Sequence, residues 1–277
     1  MSDDDSVVTA DSWNADRLLA LARDVAAQAA AHILSVRPEG RVTVAATKSS
    51  STDPVTAVDT ATELLIRRTV SAVRPHDGFL GEEGGSSAGR SGVTWVVDPI
   101  DGTVNFVYGI PAYAVSIGVQ VDGQVVAGVV RNVVSGEEYS AVLGGGARRT
   151  GDGREAVLQV PDEAGLAGAL VSTGFSYDAE RRVEQSQAVS ALIGQVRDLR
   201  RFGSAALDLC SVADGRVDAY VERGLNAWDH AAGVLIVREA GGVVTGLDGV
   251  DPDERLLVAA GPGLHPRLRA AVVAAGF

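Results

Sequence analysis

Cysteine occurs once in the 277 residues, at Cys210, so no internal disulfide can form, and a reducing compartment fits best. Lysine also occurs once, at Lys48, among 24 basic residues; every other cation is an arginine. A lone ammonium in such a chain either stands there by chance or marks a place where a compact point charge is needed and a planar fork does not fit. Basic charge is scarce against 36 acidic residues. The formal net charge of −12 speaks against a nucleic-acid or anionic-membrane surface, which needs clustered Lys and Arg. No apolar run approaches the roughly 18–20 residues of a membrane span. The N-terminus, MSDDDSVVTADS, has neither the basic start nor the apolar core of a signal peptide. The expectation is a soluble cytoplasmic protein with no membrane and no nucleic-acid partner. The length allows one large or two modest domains with a core that needs no staples. A hydrophobic fraction of 46% excludes disorder of the whole chain.

Residues 1–11 read as a flexible acidic tail. Leu18, Leu21, Val25, Ala29 and Ile33 fall at helical spacing and predict a helix over 12–36, capped by Ser12 or Asn14 and closed by Pro38 and Gly40. Residues 41–47 alternate like a strand, and 48–54 are turn-rich. A second helix is expected over 56–73, with Val58, Ala61, Leu65 and Ala72 on its inner face and Pro75 ending it. The middle reads as strands over 93–98, 113–121, 124–133 and 137–143, with Asp122-Gly123 as a hairpin turn. The glycine-rich 144–153 segment is expected to be a surface turn and the internal boundary. Beyond it strands are expected at 170–172, 218–221, 243–245 and 256–259, and helices at 179–197, 204–213, 229–240 and 265–275. This is α/β or α+β, with helices layered on sheets. No linker separates the halves, about 12–143 and 154–277, so 1–277 should form a single compact domain.

Five acidic residues stand at the ends of these elements: Asp59, Glu82, Asp98, Asp101 and Asp229. Strand-end carboxylates in α/β folds point into the crevice where ligands bind. In Asp98-Pro99-Ile100-Asp101-Gly102-Thr103 a proline and a glycine force a sharp turn that can aim two carboxylates and a backbone carbonyl at one point. The N–H groups of Gly102 and Thr103 can then face an anion. Singly, each acid has a plainer explanation: an Asp-Pro turn, a solvated loop at Glu82-Glu83, a first-turn acid at Asp59, an N-cap at Asp229. Jointly, without a histidine cluster or cysteine pair, they make the inventory of an oxygen-ligand Mg²⁺ site rather than a zinc or iron site. His32, His76, His230 and His265 are scattered without ligand spacing, and Cys210 reads as core packing.

These residues carry a resemblance. Trp95-Val96-Val97-Asp98-Pro99-Ile100-Asp101-Gly102-Thr103-Val104-Asn105-Phe106 resembles the first signature of the inositol monophosphatases, and Trp228-Asp229-His230-Ala231-Ala232-Gly233 the second. Gly81-Glu82-Glu83, and Thr47-Lys48-Ser49-Ser50 through Asp59, resemble two further family segments. The likeness spans roughly residues 15–275 and points to the actinobacterial-type branch. It implies a layered αβαβα sandwich, a homodimer, a small-molecule phosphate monoester as substrate, two to three Mg²⁺ per subunit, and lithium sensitivity.

Carried over position by position, Glu82, Asp98 and the Ile100 carbonyl resemble the ligands of a first ion. Asp98, Asp101 and Asp229 resemble those of a second, and Glu82 also touches a weaker third. Asp59 and Thr103 resemble the pair that orients and deprotonates the attacking water. Gly102 and Thr103 resemble phosphate contacts, Lys48 a lysine beside the site, and Glu83 a supporting residue. Glu222 resembles the acceptor of inositol hydroxyls, with Ser204 and Ala205 lining the same side. The implied reaction is hydrolysis of myo-inositol monophosphate by direct attack of a metal-activated water, without a phosphoenzyme. Such hydrolysis needs acceleration of up to about 10²¹-fold. Two ions about 3.5–4 Å apart can clamp the attacking and leaving oxygens. Fructose-1,6-bisphosphate, histidinol phosphate and nucleotide 3′-phosphates remain alternative substrates. Arg200 with Arg201, or Arg181 with Arg182, are candidates to hold a second phosphate.

Overall fold

The computed structural model describes residues 13–38, 40–44, 46–47, 54–162 and 165–277. The acidic tail, Lys48 and most of the turn-rich stretch after it lie outside the described residues.

Along the chain the elements are α1 (Ala15–Val36), β1 (Ala46–Thr47), β2 (Pro54–Val55), α2 (Ala57–Val73), β3 (Gly78–Gly81), β4 (Gly85–Ser87), β5 (Val93–Asp101), α3 (Thr103–Tyr108), β6 (Ala114–Val121), β7 (Gln124–Asn132), β8 (Glu138–Val142), β9 (Gly146–Gly151), β10 (Arg154–Val157), β11 (Leu170–Thr173), α4 (Ala179–Ile193), β12 (Asp198–Arg200), α5 (Ala205–Ala213), β13 (Ala219–Glu222), α6 (Ala227–Glu239), β14 (Val243–Thr245), β15 (Leu257–Ala260) and α7 (His265–Ala275). Strands β10-β9-β8-β7-β6-β5-β3-β4 form one sheet in that order, and β12-β11-β13-β15-β14 a second. The pair α1 and α2 packs on one face of the large sheet, and α5 and α6 fill the space between the sheets. On the outer face of the small sheet lie α4 and α7. The result is the layered αβαβα sandwich, because each sheet buries alternate residues on both faces and needs cover on both.

Local chemistry explains most boundaries. The Asn14 side chain accepts from the Arg17 N–H at 3.0 Å and starts α1, whose buried stripe is Leu18, Ala22, Val25, Ala29 and Ile33. Asp122 and Gly123 both take positive φ, as a tight two-residue hairpin between twisted strands requires. The helix α6 lies close on the large sheet at Gly118 and Gly128. A Cβ at Gly118 would come within 2.9 Å of the Ala231 side chain, and one at Gly128 within 3.0 Å of the Ala232 Cα. Bare backbone there lets the start of α6 reach the strand ends of β5 and β6.

Four expectations need correction. Of the expected strand over 41–47, only Ala46–Thr47 is a strand among the described residues. Of the expected inner face of α2, Val58, Ala61, Leu65 and Ala72, only Val58 packs against the core, and Ala61 and Ala72 are exposed. The helix buries Asp59, Thr62, Glu63, Ile66 and Val70, because its first half serves a polar site instead of the core. The 144–153 segment is no boundary turn: Gly146–Gly151 is β9, paired with β8 and β10 in the large sheet. Gly144 and Gly145 lie in the turn before β9 and Gly153 in the turn after it, and the chain changes sheets between Val157 and Leu170. Finally, α4 stops at Ile193, where Gly194 caps it, and residues 198–200 add an edge strand to the small sheet.

Candidate active site

Four carboxylates reach one cleft of about 580 Å³ from separate pieces of the chain. Glu82 follows the end of β3, Asp98 and Asp101 sit at the end of β5, and Asp229 lies in the first turn of α6. The register of β5 against β6 shifts between Asp98 and Asp101. Such an irregularity re-aims side chains at a strand end, so both acids face the cleft. Within it the Asp98 Oδ1 accepts the Ile100 N–H at 3.0 Å, closing the turn around Pro99. Asp229 is not the N-cap of its helix. Asn226 holds that place, and the Asp229 carboxylate reaches back to the Asn226 N–H at 2.6 Å in a capping box.

The electrostatics are those of acids crowded together away from water. Burial raises Asp98, and the charges of Glu82, Asp101 and Asp229 raise it further. Burial likewise raises Asp229, followed by Asp101 and Glu82. Asp101 is pushed up to about 6 by burial, against hydrogen bonds from Ser204 and the backbone of Ala206 that favour its charge. Ser204 Oγ donates to Asp101 Oδ2 at 2.5 Å and the Ala206 N–H at 2.7 Å, so the start of α5 is pinned to the end of β5. Among the described residues no group of three or more His, Cys, Asp or Glu side chains forms a finished ion-binding cage. The donor set nevertheless fits a hard divalent cation: it is all oxygen, and its members repel one another until a positive charge joins them.

Beside the acids stands Thr103, the first residue of α3. Its hydroxyl lies 3.2 Å from Asp59 Oδ1 and 3.1 Å from the Ile100 carbonyl. Asp59 does not line the cleft; it sits behind Thr103, fully buried, and its other oxygen takes the Thr56 N–H at 3.0 Å and the Thr56 hydroxyl. Gly102 before it has φ +94°, a left-handed conformation suited to glycine. A Cβ there would also press within 3.0 Å of the Ala112 and Gly203 carbonyls. Gly102 and Thr103 both line the cleft.

Ser204, Ala205 and Glu222 also line the cleft. Burial pushes Glu222 up to about 7, while the hydroxyl of Tyr220, donating at 2.5 Å, and the charge of Arg201 pull it down. The expected residues therefore assemble, apart from Lys48, which lies outside the described residues. Of the four arginines considered for a second phosphate, Arg181 and Arg201 line the cleft. Arg200 instead pairs with Asp198 at 2.7 Å. His230 is held neutral, its pKa lowered to about 4 by burial, and Cys210 is buried packing.

Two acids beside the site escaped the sequence reading. Glu63, buried on α2, accepts the N–H groups of Glu83 and Gly84 at 2.8 Å each and so fixes the turn that carries Glu82. Its signal was an acid on the helix face that Asp59 shares. Asp208, buried on α5, lines the cleft floor, and nothing but its place four residues after Ser204 marked it.

The profile of the inositol monophosphatase family matches residues 14–276. The chain belongs to the inositol monophosphatase family. It is 48% identical over 271 residues to the inositol-1-monophosphatase of Mycobacterium bovis, covering 92% of this chain and 93% of that protein. A Haemophilus influenzae relative named Nus factor SuhB is 40% identical over 225 residues, covering 80% of this chain and 83% of that one. The solved structure of Mycobacterium tuberculosis SuhB superposes with a TM-score of 0.82 at 46% identity, covering 96% and 99% of the two chains. As an inositol monophosphatase family member of the actinobacterial type, the chain is a phosphoric monoester hydrolase. No described helix is long and apolar enough to cross a membrane.

Proposed function

We propose that the protein hydrolyses myo-inositol monophosphate to inositol and phosphate, with Mg²⁺ as its resident cation, by direct attack of water. The carrying observation is the convergence of Glu82, Asp98, Asp101 and Asp229 on one cleft with the Thr103–Asp59 pair at its side. The names of the mycobacterial relatives support the substrate. Two to three ions per subunit would be held by Glu82, Asp98, the Ile100 carbonyl, Asp101 and Asp229. When bound, they supply neutralisation of the phosphate dianion and acidification of water.

The chain's own groups do the rest. The N–H groups of Gly102 and Thr103 face the phosphoryl oxygens. The Thr103 hydroxyl accepts a hydrogen bond from the attacking water, and Asp59 behind it holds that hydroxyl in place and draws the proton inward. Glu82 stands close enough to Asp98 to share a hydrogen bond with it, and Glu83 and Glu63 brace that turn. Glu222 accepts hydroxyls of the polyol, and Ser204 and Ala205 shape the wall beside it. Lys48 adds a compact positive charge near the phosphate. The assembly we expect is a cytoplasmic homodimer, sensitive to lithium.

Phosphate release from myo-inositol 1-phosphate, fructose-1,6-bisphosphate, histidinol phosphate and adenosine 3′,5′-bisphosphate, with Mg²⁺ and with chelator, tests this. Preference for the inositol phosphate, lost on chelation, is expected. Preference for another compound would keep the chemistry and overturn the substrate; equal turnover with chelator would overturn the metal assignment.

A further inference from the structure

Asn105 is buried in the short helix α3, two residues after Thr103, and the proposed chemistry gives it no part. Its carboxamide carries one NH₂ group with two hydrogens to donate. Two main-chain carbonyls meet it. The Nδ2 donates to the Ala112 carbonyl at 2.7 Å, just before β6, and to the Phe202 carbonyl at 2.8 Å, in the loop that leads to α5. Its own main-chain carbonyl accepts the Ile110 N–H at 2.9 Å. One side chain thus joins three segments, the last of them 97 residues along the chain.

Two glycines close the same knot. Gly102 has φ +94° and Gly203 φ +93°. A Cβ on Gly102 would come within 3.0 Å of the Ala112 and Gly203 carbonyls, and one on Gly203 within 2.9 Å of the Asn105 carboxamide. Gly102 is therefore wedged between the two segments that Asn105 grips. Glycine has the most backbone freedom of any residue, so the Gly102–Thr103 peptide has to be held from outside. On one side Asp101 does this, by accepting the Ser204 hydroxyl and the Ala206 N–H. That pin runs through a carboxylate which the proposed function shares with a cation. Asn105 supplies a second pin on the other side of Gly102, made of a neutral amide and main chain alone.

We propose that Asn105 is a positioning residue for the phosphate-binding turn: it locks the Gly102–Thr103 peptide against the 202–204 loop through contacts that involve no metal ligand. This rests on the reading that the Gly102 and Thr103 N–H groups face the phosphate, and it adds what holds them there.

The test uses the full chain and three variants, N105A, N105S and N105D. Inorganic phosphate is the probe, read as a competitive inhibitor at saturating Mg²⁺. Mg²⁺ binding is measured separately by calorimetry, without phosphate. In N105A the Ki for phosphate should rise about tenfold, the scale of the lost hydrogen bonds, and kcat should fall between about tenfold and a hundredfold. Mg²⁺ binding should stay within about twofold, since the Asp101 pin is intact. N105S, with one hydroxyl hydrogen in place of two, should fall between wild type and N105A. N105D keeps the shape but turns a carboxylate on two carbonyls, so it should be worse than N105A. A residue that only filled space would give the opposite order. An unchanged Ki in N105A, an N105D variant better than N105A, or a loss of Mg²⁺ binding equal to the loss of phosphate binding would each overturn the proposal. Should N105A and N105D fail to fold, N105S carries the test, and an unchanged Ki there overturns it. Wild-type enzyme that phosphate does not inhibit overturns the reading of Gly102 and Thr103 as phosphate contacts, and that result is read before any variant is made.

Discussion

The raised carboxyl of Glu222 makes substrate preference depend on pH. Burial pushes its carboxyl up to about 7, with Tyr220 and Arg201 opposing. One of its oxygens is taken by the Tyr220 hydroxyl at 2.5 Å, so the remaining lone pairs are what a ring hydroxyl can donate to. Protonation puts a hydrogen on that free oxygen and converts an acceptor into a donor. The raised pKa means the acceptor is fully present above about 8 and is lost as pH falls through 7. Going from pH 8 to pH 6 lowers the ionised fraction about tenfold, equivalent to about 1.4 kcal/mol. A hydrogen bond to a charged group is worth about 1.5–3 kcal/mol, so the contact can carry the whole effect. The phosphate of the substrate also titrates, with a pKa near 6, and so do the acids around the ions. Both are common to any phosphate monoester and cancel in a ratio. The assay is therefore kcat/KM for inositol 1-phosphate divided by that for phenyl phosphate, followed from pH 8 to pH 6. It should fall about tenfold in the wild type and stay flat in Glu222→Gln. A flat wild-type ratio, or a slope that survives in E222Q, would refute the assignment of Glu222 as the hydroxyl acceptor.

Three further outcomes are expected. Asp98→Asn should abolish turnover, yet raise the melting temperature of the metal-free protein at pH 8, because the raised carboxyl and its repulsion of Glu82, Asp101 and Asp229 are gone; at about 2 °C per kcal/mol for a chain of this size, calorimetry with chelator resolves even a modest gain. Thr103→Ala should lower kcat by about 10²–10⁴, the range for a lost proton-transfer group, with a much smaller change in KM, measured by initial rates at saturating Mg²⁺. Glu63→Gln weakens the acceptor for the Glu83 and Gly84 N–H groups, so it should cost about 1–3 kcal/mol in denaturant unfolding and raise the Mg²⁺ concentration needed for half-maximal rate.

Most of the fold was legible because most of the chain obeys one period at a time. The stripe of α1 places its residues as the pattern says, and β6 and β7 lie where the sequence predicts strands, buried along almost their whole length. The pattern failed where the chain serves the site. Apolar periodicity put Ala61 and Leu65 inside α2, while the helix turns Asp59, Thr62 and Glu63 inward. The Asp59 and Glu63 carboxylates reach partners 20 and more residues away, Thr103, Glu83 and Gly84, which no local window contains. The acids at strand ends were legible because turn residues mark where strands end; Asp98 and Asp101 are separated by the proline of their own turn. Asp208 was not, since an acid in the middle of an amphipathic helix looks like solvated surface until the small sheet is laid against it.

The carboxylates of the cleft differ in the charges set around them. Around Asp98 and Asp229 the strongest neighbouring charges among the described residues are all negative. Around Asp101, Asp208 and Glu222 one cation, Arg201, opposes part of the effect, and burial still raises all three carboxyls. An uncompensated set of buried carboxylates is unstable on its own and gains most from a small, highly charged cation; a compensated set gains little from one. Divalent ions are therefore drawn to the strand-end acids, and the phosphate follows them. On the proposed function, the phosphate would lie against the acids at the end of β5 and the polyol beside Glu222 at the end of β13.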